Sequence, residues 1–529
     1  MRRWIFLILF AGVLALPFAL RAFLAGPKQV IGADAFRLVI VTPNNQDIRR
    51  EFSDAFDQWH RMHYGKSVLI DYRTPGGTND IKRLLETTYR AYLRPDGTFW
   101  DQMPADIHIV WGGGDYFFDR ELKRLFVREG KPISILQPLS LDRPLLNRVF
   151  PEDSIAGVRL YDTSVDSAGN PVPQWVGGCL SAFGMVYNPT LYDALKLPAL
   201  RTWADLADPR LSGLVALADP THSGSVALAY MMVIQRAMAD EEAIYLRQRG
   251  LSHVEDKNDP AYQAALSRGW KRGMGQLLLI AANTRYFTDS ASQVPTDVGN
   301  GDAAAGVAID FYARVTEESV GPDRARFVMP PAASAITPDP VAILAGVRGE
   351  AREVAGHFVR FLLSPEGQRL WILKSGVPGG PAHRSLRRSP IRRDVYADKT
   401  QWADDVDLFA LAGGFNQRAE WFGLFADTRT LWAAAWIDSR DALKRAYASI
   451  LAVKDQSRRG QLLMELANLP VERADVEQLA RQRAELERAG GADEWKARQR
   501  IDWANRFRSH YERIMAEARS SNAHHDLPN

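Results

Sequence analysis

An apolar run from Leu214 to Ala218 ends in Asp219-Pro220-Thr221-His222-Ser223-Gly224-Ser225, and a long helical periodicity follows. Hydroxyls and unpaired amides at a helix amino terminus, with a glycine that lets another group approach, bind the oxygens of phosphate, phosphonate or carboxylate. The same residue types also make an ordinary helix cap, in which Ser or Thr saturates the first turn. Thr221, Ser223, Gly224 and Ser225 are therefore read either as oxyanion ligands or as a cap. Thr74-Pro75-Gly76-Gly77-Thr78 has a similar composition ahead of another helix. Two such termini facing one cleft would suit an anion, with Gly76, Gly77 and Thr78 on the opposite wall. Asn283-Thr284-Arg285-Tyr286-Phe287-Thr288-Asp289 reads as a further polar loop. In it Arg285 either clamps a phosphate or carboxylate bidentately or makes a structural ion pair.

Signals for catalysis are weaker. Gly-x-Ser-x-Gly, the phosphate-loop pattern Gly-x4-Gly-Lys-Ser/Thr and His-Glu-x-x-His are all absent. Gly112-Gly113-Gly114 lacks the full dinucleotide spacing and a matching nucleophile, and reads as a turn. His60 and His63 share one predicted helix without an obvious third ligand and read as surface residues. No catalytic residue and no cofactor is expected.

The elements that must position these loops alternate between short apolar strands and helices from Phe36 to about Val347, the pattern of an α/β sheet. Phe36 to Val41 is a strand ending at Thr42-Pro43-Asn44-Asn45, and Ile48, Phe52, Phe56 and Trp59 stripe the helix after it. Ser67 to Tyr72 and Asp106 to Trp111 are further strands, ending at Thr74 to Thr78 and at Gly112 to Gly114. In an open α/β sheet such loops gather at the carboxyl edge of the strands, where ligands bind, which adds Gly113 and Gly114 to the candidate set. Trp175 to Asn188 is a long apolar stretch, and a strand from Gly306 to Ile309 ends in Asp310-Phe311-Tyr312-Ala313-Arg314. Two strand sets joined by long crossings predict two lobes with a cleft between them. Beyond Gly380, Arg384, Arg387, Arg388, Arg392 and Arg393 cluster around Pro390 and strand patterns disappear. Most of the remainder reads helical, with Trp503, Phe507, Tyr511 and Ile514 as one apolar stripe expected to pack on the lobes.

The chain has 529 residues, 46% hydrophobic and 24% charged, which excludes a largely disordered or multi-span membrane protein. Lys and Arg number 66 against 63 Asp and Glu, too even a balance for a nucleic-acid partner. Cys179 is the only cysteine, so no internal disulfide and no cysteine-based metal site is possible. Met1-Arg2-Arg3 before an apolar run from Trp4 to Leu20 is the pattern of an export signal, either cleaved or kept as a membrane anchor. The chain is expected outside the cytoplasm.

Four segments standing in order carry a resemblance: Thr42 to Asn45, Thr202-Trp203-Ala204-Asp205-Leu206-Ala207-Asp208-Pro209-Arg210-Leu211-Ser212-Gly213, Ala218 to Ser225, and Phe358-Val359-Arg360-Phe361-Leu362-Leu363-Ser364-Pro365-Glu366-Gly367-Gln368. From about Phe36 to Pro381 the chain resembles the extracellular solute-binding proteins of ABC importers, in the branch with ferric-iron, phosphonate and sugar-phosphate binders. The resemblance implies an α/β, two-lobed type 2 periplasmic-binding-protein-like fold, here with a helical C-terminal extension. It divides the chain into residues 1–32 as signal peptide or membrane anchor, 33–175 as lobe 1, 176–315 as lobe 2 with the crossing strands, 316–381 as the return to lobe 1, and 382–529 as the extension. Trp175 to Asn188 and the return after Tyr312 would be the two crossings. The implied activity is capture of a small polar, oxyanion-bearing solute for an ABC permease in the cytoplasmic membrane, by a monomer. Ferric iron is the alternative cargo, and a sensor or hydrolase using the same cleft is a further one. Matching the family's ligand positions gives Asn44 or Asn45 where iron binders place a His, and Asp310 and Tyr312 near the second crossing. Neither asparagine is a good ferric ligand, and Asp310 beside an oxyanion favours a zwitterion or polyol phosphate over bare phosphate.

Overall fold

Strands buried on both faces need continuous apolar runs, because helices cover each side of a parallel sheet. A computed structural model describes residues 35–525 except 101, 102, 104, 129, 130, 398, 413, 414, 416, 490 and 491. In it Phe36–Val41 (β1), Val68–Arg73 (β2) and Ile109–Trp111 (β3) form a parallel set, with β1 between the other two. Gln46–Tyr64 (α1) and Thr78–Arg90 (α2) follow β1 and β2. In α1 the residues Ile48, Phe52, Phe56 and Trp59 are all buried, as their spacing predicts.

Val176–Tyr187 (β4) is buried along its whole length. It leaves the first strand set and enters a second, formed by Val215–Ala218 (β5), Thr284–Thr288 (β6) and Ala305–Ile309 (β7). Gly224–Arg249 (α3) and Pro260–Ala282 (α4) lie between β5 and β6, and Asp310–Val320 (α5) starts directly at the end of β7. Arg326–Val328 (β8) pairs antiparallel with β4, and Ile336–Ile343 (β9) then runs back between β4 and β3. The result is one 10-stranded sheet whose main path runs β6-β5-β7-β4-β9-β3-β1-β2, with β8 and one further short strand pairing with β4 off that path, and with β4 and β9 as the crossings. The return crossing is β9, which follows Tyr312 after the rest of α5 and the short strand β8.

Two expected loops take other forms. Asp310 to Arg314 is the first turn of α5, and Asn283 to Asp289 is mostly β6, an edge strand opened by the residue that ends α4. The extension is also not helical from its start. Residues 382 to 424 form a largely irregular strap, in which the amides of Ala382, His383 and Arg384 donate to the buried Glu51 carboxylate at 2.7, 2.8 and 2.8 Å. Ser389–Pro390 (β10) adds to β4. Regular helices then follow: Phe425–Trp432 (α6), Arg440–Leu451 (α7), Gln456–Ala467 (α8), Arg473–Ala489 (α9) and Ala492–His525 (α10). Trp503, Phe507, Tyr511 and Ile514 are buried as one stripe of α10, and the Tyr511 hydroxyl donates to the Ala435 carbonyl at 2.9 Å. Among the described residues no helix is long and apolar enough to cross a membrane, and the run from Trp4 to Leu20 lies outside them.

The two halves of the sheet meet at the starts of α2 and α3. A Cβ built on Gly77 would lie 2.6 Å from the His222 carbonyl oxygen, and one on Gly224 would lie 2.6 Å from Thr78 Oγ1. Gly77 has φ −75, a conformation open to alanine, so Gly77→Ala tests the approach of the halves without backbone strain. Gly77→Ala should force the halves apart at a cost of about 1–3 kcal/mol to the closed form, read as a larger radius of gyration in X-ray scattering. Phe507→Ala should remove about 3–5 kcal/mol from the unfolding free energy in denaturant titration, since it empties a fully buried site.

Candidate functional site

A prolyl residue cannot donate to a sheet ladder, so prolines inside a strand mark a bulge or an edge. Thr337-Pro338-Asp339-Pro340 stands in the middle of β9, and the pairing of β9 with β4 slips register between Pro338 and Pro340. The bulge turns Asp339 toward the loop after β3, where its Oδ1 accepts the Gly113 amide at 2.7 Å. Its Oδ2 lies 2.9 Å from Arg388 Nη2. Arg388, supplied by the strap, also donates to Ser181 Oγ of β4 at 3.1 and 2.8 Å from Nε and Nη2. The guanidinium stacks 4.2 Å from the Phe311 ring centroid. Arg388 is 5% exposed, and its Nη1 has no hydrogen-bond partner.

These residues floor a cavity of about 50 Å³ between the halves of the sheet. Thr78 at the start of α2 and Gly113, Gly114 and Asp115 after β3 border it on one side, and Gly224 and Ser225 at the start of α3 on the other. Both helices present their amino-terminal amides and positive dipole ends here. Asp115 keeps part of its surface, yet its Oδ1 is enclosed and without a partner. Burial, reinforced by Asp119, pushes the Asp115 carboxyl up to about 7. Phe425 and Arg429 of α6 complete the lining. Among the described residues the cavity is lined by hydroxyls, carboxyls and guanidinium groups, without His, Lys or Cys.

The cavity therefore gathers Thr78, Gly113, Gly114, Gly224 and Ser225 from the sequence-derived set. Asn44 lies beneath it: a Cβ on Gly112 would stand 3.0 Å from Asn44 Nδ2 and 3.3 Å from Asp339 Oδ2, and that buried Nδ2 has no partner. Other candidates shape the walls instead. Asn45 caps α1 through its Oδ1 and the Ile48 amide at 3.1 Å, and Ser223 caps α3 through Val226. Gly76 sits at φ 141 in the turn before α2, and the Gly77 amide donates to Asp80 Oδ2 at 3.1 Å. Thr221 folds its amide and hydroxyl onto Asp219 Oδ1, each at 2.6 Å.

Arg285, Asp310 and Tyr312 are not brought to the cavity. Arg285 lies exposed on the edge strand β6, its Nη1 donating to the Asp302 carbonyl at 2.6 Å, because strand alternation turns it outward. Asp310 borders a separate small cavity with Arg314 and Asp404, behind Arg388, and accepts the Phe311 amide at 2.9 Å. Burial pushes the Asp310 carboxyl up to about 6 and the Tyr312 phenol up to about 12. Among the described residues no group of three or more His, Cys, Asp or Glu is arranged to hold a metal ion. His60 is not a surface residue: it is buried, with Nε2 3.1 Å from His357 Nδ1. The residues that sequence reasoning missed are Asp339, Arg388, Asp115 and Arg429. The Pro-Asp-Pro run inside an apolar stretch is a readable signal for the first.

A protein-family model described as bacterial extracellular solute-binding protein matches residues 139–391. No curated protein matches the chain. Similar solved structures include the periplasmic binding protein AfuA from Actinobacillus pleuropneumoniae with fructose-6-phosphate bound. Its identity is 16% and its TM-score 0.49, with 76% of this chain and 98% of that chain covered. Iron-bound HitA from Pseudomonas aeruginosa is 16% identical with a TM-score of 0.45, covering 74% of this chain and 99% of that chain. The spermidine/putrescine ABC transporter substrate-binding protein PotD from Streptococcus pneumoniae is 16% identical with a TM-score of 0.41, covering 74% and 97%. Over residues 139–391, slightly under half of its length, the chain is similar to the bacterial extracellular solute-binding protein family.

Proposed function

We propose that the chain is an extracytoplasmic receptor that captures a small polar solute bearing an oxyanion and hands it to an ABC permease. Residues 33–175 with 316–381 would act as one lobe and 176–315 as the other, with β4 and β9 as the hinge strands. The observation that carries this reading is Arg388, a buried cation lining a cavity that the first turns of α2 and α3 also border, whose Nη1 has no hydrogen-bond partner. A buried unpaired donor is costly unless a ligand satisfies it, and a phosphate or carboxylate oxygen does so best. Asp115 Oδ1 supplies the complementary acceptor, so the solute also carries a hydroxyl or ammonium group. Ferric iron is the weaker reading, since Asp310 and Tyr312 stand apart from this cavity and the lining offers few hard anionic donors in one place. Binding energy would go into closure of the lobes and no bond need be broken.

A thermal-shift panel of phosphonates, sugar phosphates, polyamines and ferric iron tests the reading. An organophosphate at several hundred times its Kd should stabilise the protein by about 3–4 kcal/mol. Ser225→Ala should weaken that ligand roughly tenfold, through loss of a hydrogen bond to a charged group worth ~1.5 kcal/mol. Unchanged affinity in Ser225→Ala would remove the oxyanion assignment. The Asp115 carboxyl, held up to about 7 in the folded chain against an ordinary 3.8, keeps its proton where the unfolded chain has lost it. Its contribution to stability is therefore present at acid pH and is lost as pH rises from about 4 to about 7. Asp115→Asn should flatten the unfolding midpoint across that window, and an unchanged pH profile would show that Asp115 titrates normally.

A further inference from the structure

The family match covers residues 139–391, and the helices beyond Gly423 lie outside it. Their position is specific. The extension is bolted to the second half of the sheet: Trp432 Nε1 donates to Met274 Sδ of α4 at 3.2 Å, and Tyr230 of α3 packs edge-on against Trp432 and Trp436. Arg418 adds an ion pair to Glu242 of α3 at 2.6 Å. From this base α6 reaches across the cleft. Phe425 meets Tyr116 of the first half at a centroid distance of 4.6 Å, edge to face.

Arg429 makes the junction. Its Nε donates to the Pro220 carbonyl at 3.0 Å and its Nη2 to the Thr221 carbonyl at 3.4 Å, both in the loop before α3. Its Nη1 lies 3.7 Å from Glu121 Oε1 of the first half, with both side chains only 12% exposed. The Thr221 carbonyl also accepts from Asn79 of α2, so the first half, the second half and the extension meet at one oxygen. Phe425 and Arg429 line the same cavity as Arg388 and Ser225.

We propose that the C-terminal extension forms a third wall of the solute cleft and latches it shut, with Arg429 holding both halves and Phe425 limiting the size of the occupant. This rests on the reading of the cavity as a solute site. A latch anchored on one half and reaching the other adds a condition to opening: α6 must leave Glu121 and Tyr116 before the halves can part. The mouth is then set by the extension as well as by the two halves, and the site is incomplete without it.

The test is a distance measurement between spin labels in the full chain. Arg83→Cys on α2 and Asp289→Cys after β6 place labels on the two halves at side chains 72% and 93% exposed, while Cys179 is buried and unreactive. The protein is unfolded and refolded in the absence of small molecules, so that no carried-over solute holds it closed. The expected result is one short distance in the otherwise native chain, and a longer population in Arg429→Ala, in Phe425→Ala and in Glu121→Gln. Glu121→Gln leaves the packing of the extension on the second half untouched, so its effect is not a failure of folding. A native chain already open, or distances that do not change in any of the three variants, overturns the latch. A latch that responds to these variants in a chain stabilised by no organophosphate overturns the oxyanion reading and leaves the latch standing.

Discussion

The ion pair between Arg388 and Asp339 is the interaction on which the centre of the molecule depends. Burying two charges costs several kcal/mol each, and only good geometry with further hydrogen bonds recovers it. Here the further bonds come from Ser181 on one crossing strand, the Gly113 amide after β3, and the ring of Phe311 beneath the guanidinium. One pair thus ties both crossings, the loop after β3 and the strap that begins the extension. Removing either partner would leave the other as an uncompensated buried charge where β4 and β9 cross between the halves.

The charges around the cavity are close to balanced. Arg388 and Arg429 face Asp339 and Glu121, and Asp115 holds its proton to near neutrality. Such a site does not attract anions by a strong positive field. The cavity instead presents individual donors and acceptors in a small enclosed space, where an unmatched polar group is expensive. The bordering helix termini add fixed partial charges that need no reorganisation on binding.

Much of this was legible in the residues, and the rest fails for identifiable reasons. Apolar runs marked β1, β5 and β7 because burial leaves a continuous signature, and the half-buried edge strand β2 shows it only at its start. The loops Thr74 to Thr78 and Asp219 to Ser225 were found as a facing pair, since helix starts have local chemistry. Thr284 to Thr288 was misread as a loop although Thr, Tyr and Phe favour strands, because its flanking polar residues outweighed that preference. Arg388 stood among five arginines with nothing local to separate it. Arg384, Arg387, Arg392 and Arg393 find acidic partners nearer the surface, and only the distant Asp339 singles Arg388 out. An apolar stripe such as that of α10 announces that a helix is covered but not by what, so the role of α6 at the cleft was invisible.

The extension covers the second half of the sheet with residues far along the chain from those they cover. A nascent chain emerges amino terminus first and its early segments begin to fold before the later ones exist. Tyr230 and Met274 precede Trp432 and Trp436, which pack on them, by a long stretch of sequence, 158 residues for the Met274 contact. Until α6 has been made, α3 and α4 therefore present bare apolar surface, and the order of synthesis leaves the wall of the cavity for later than its floor.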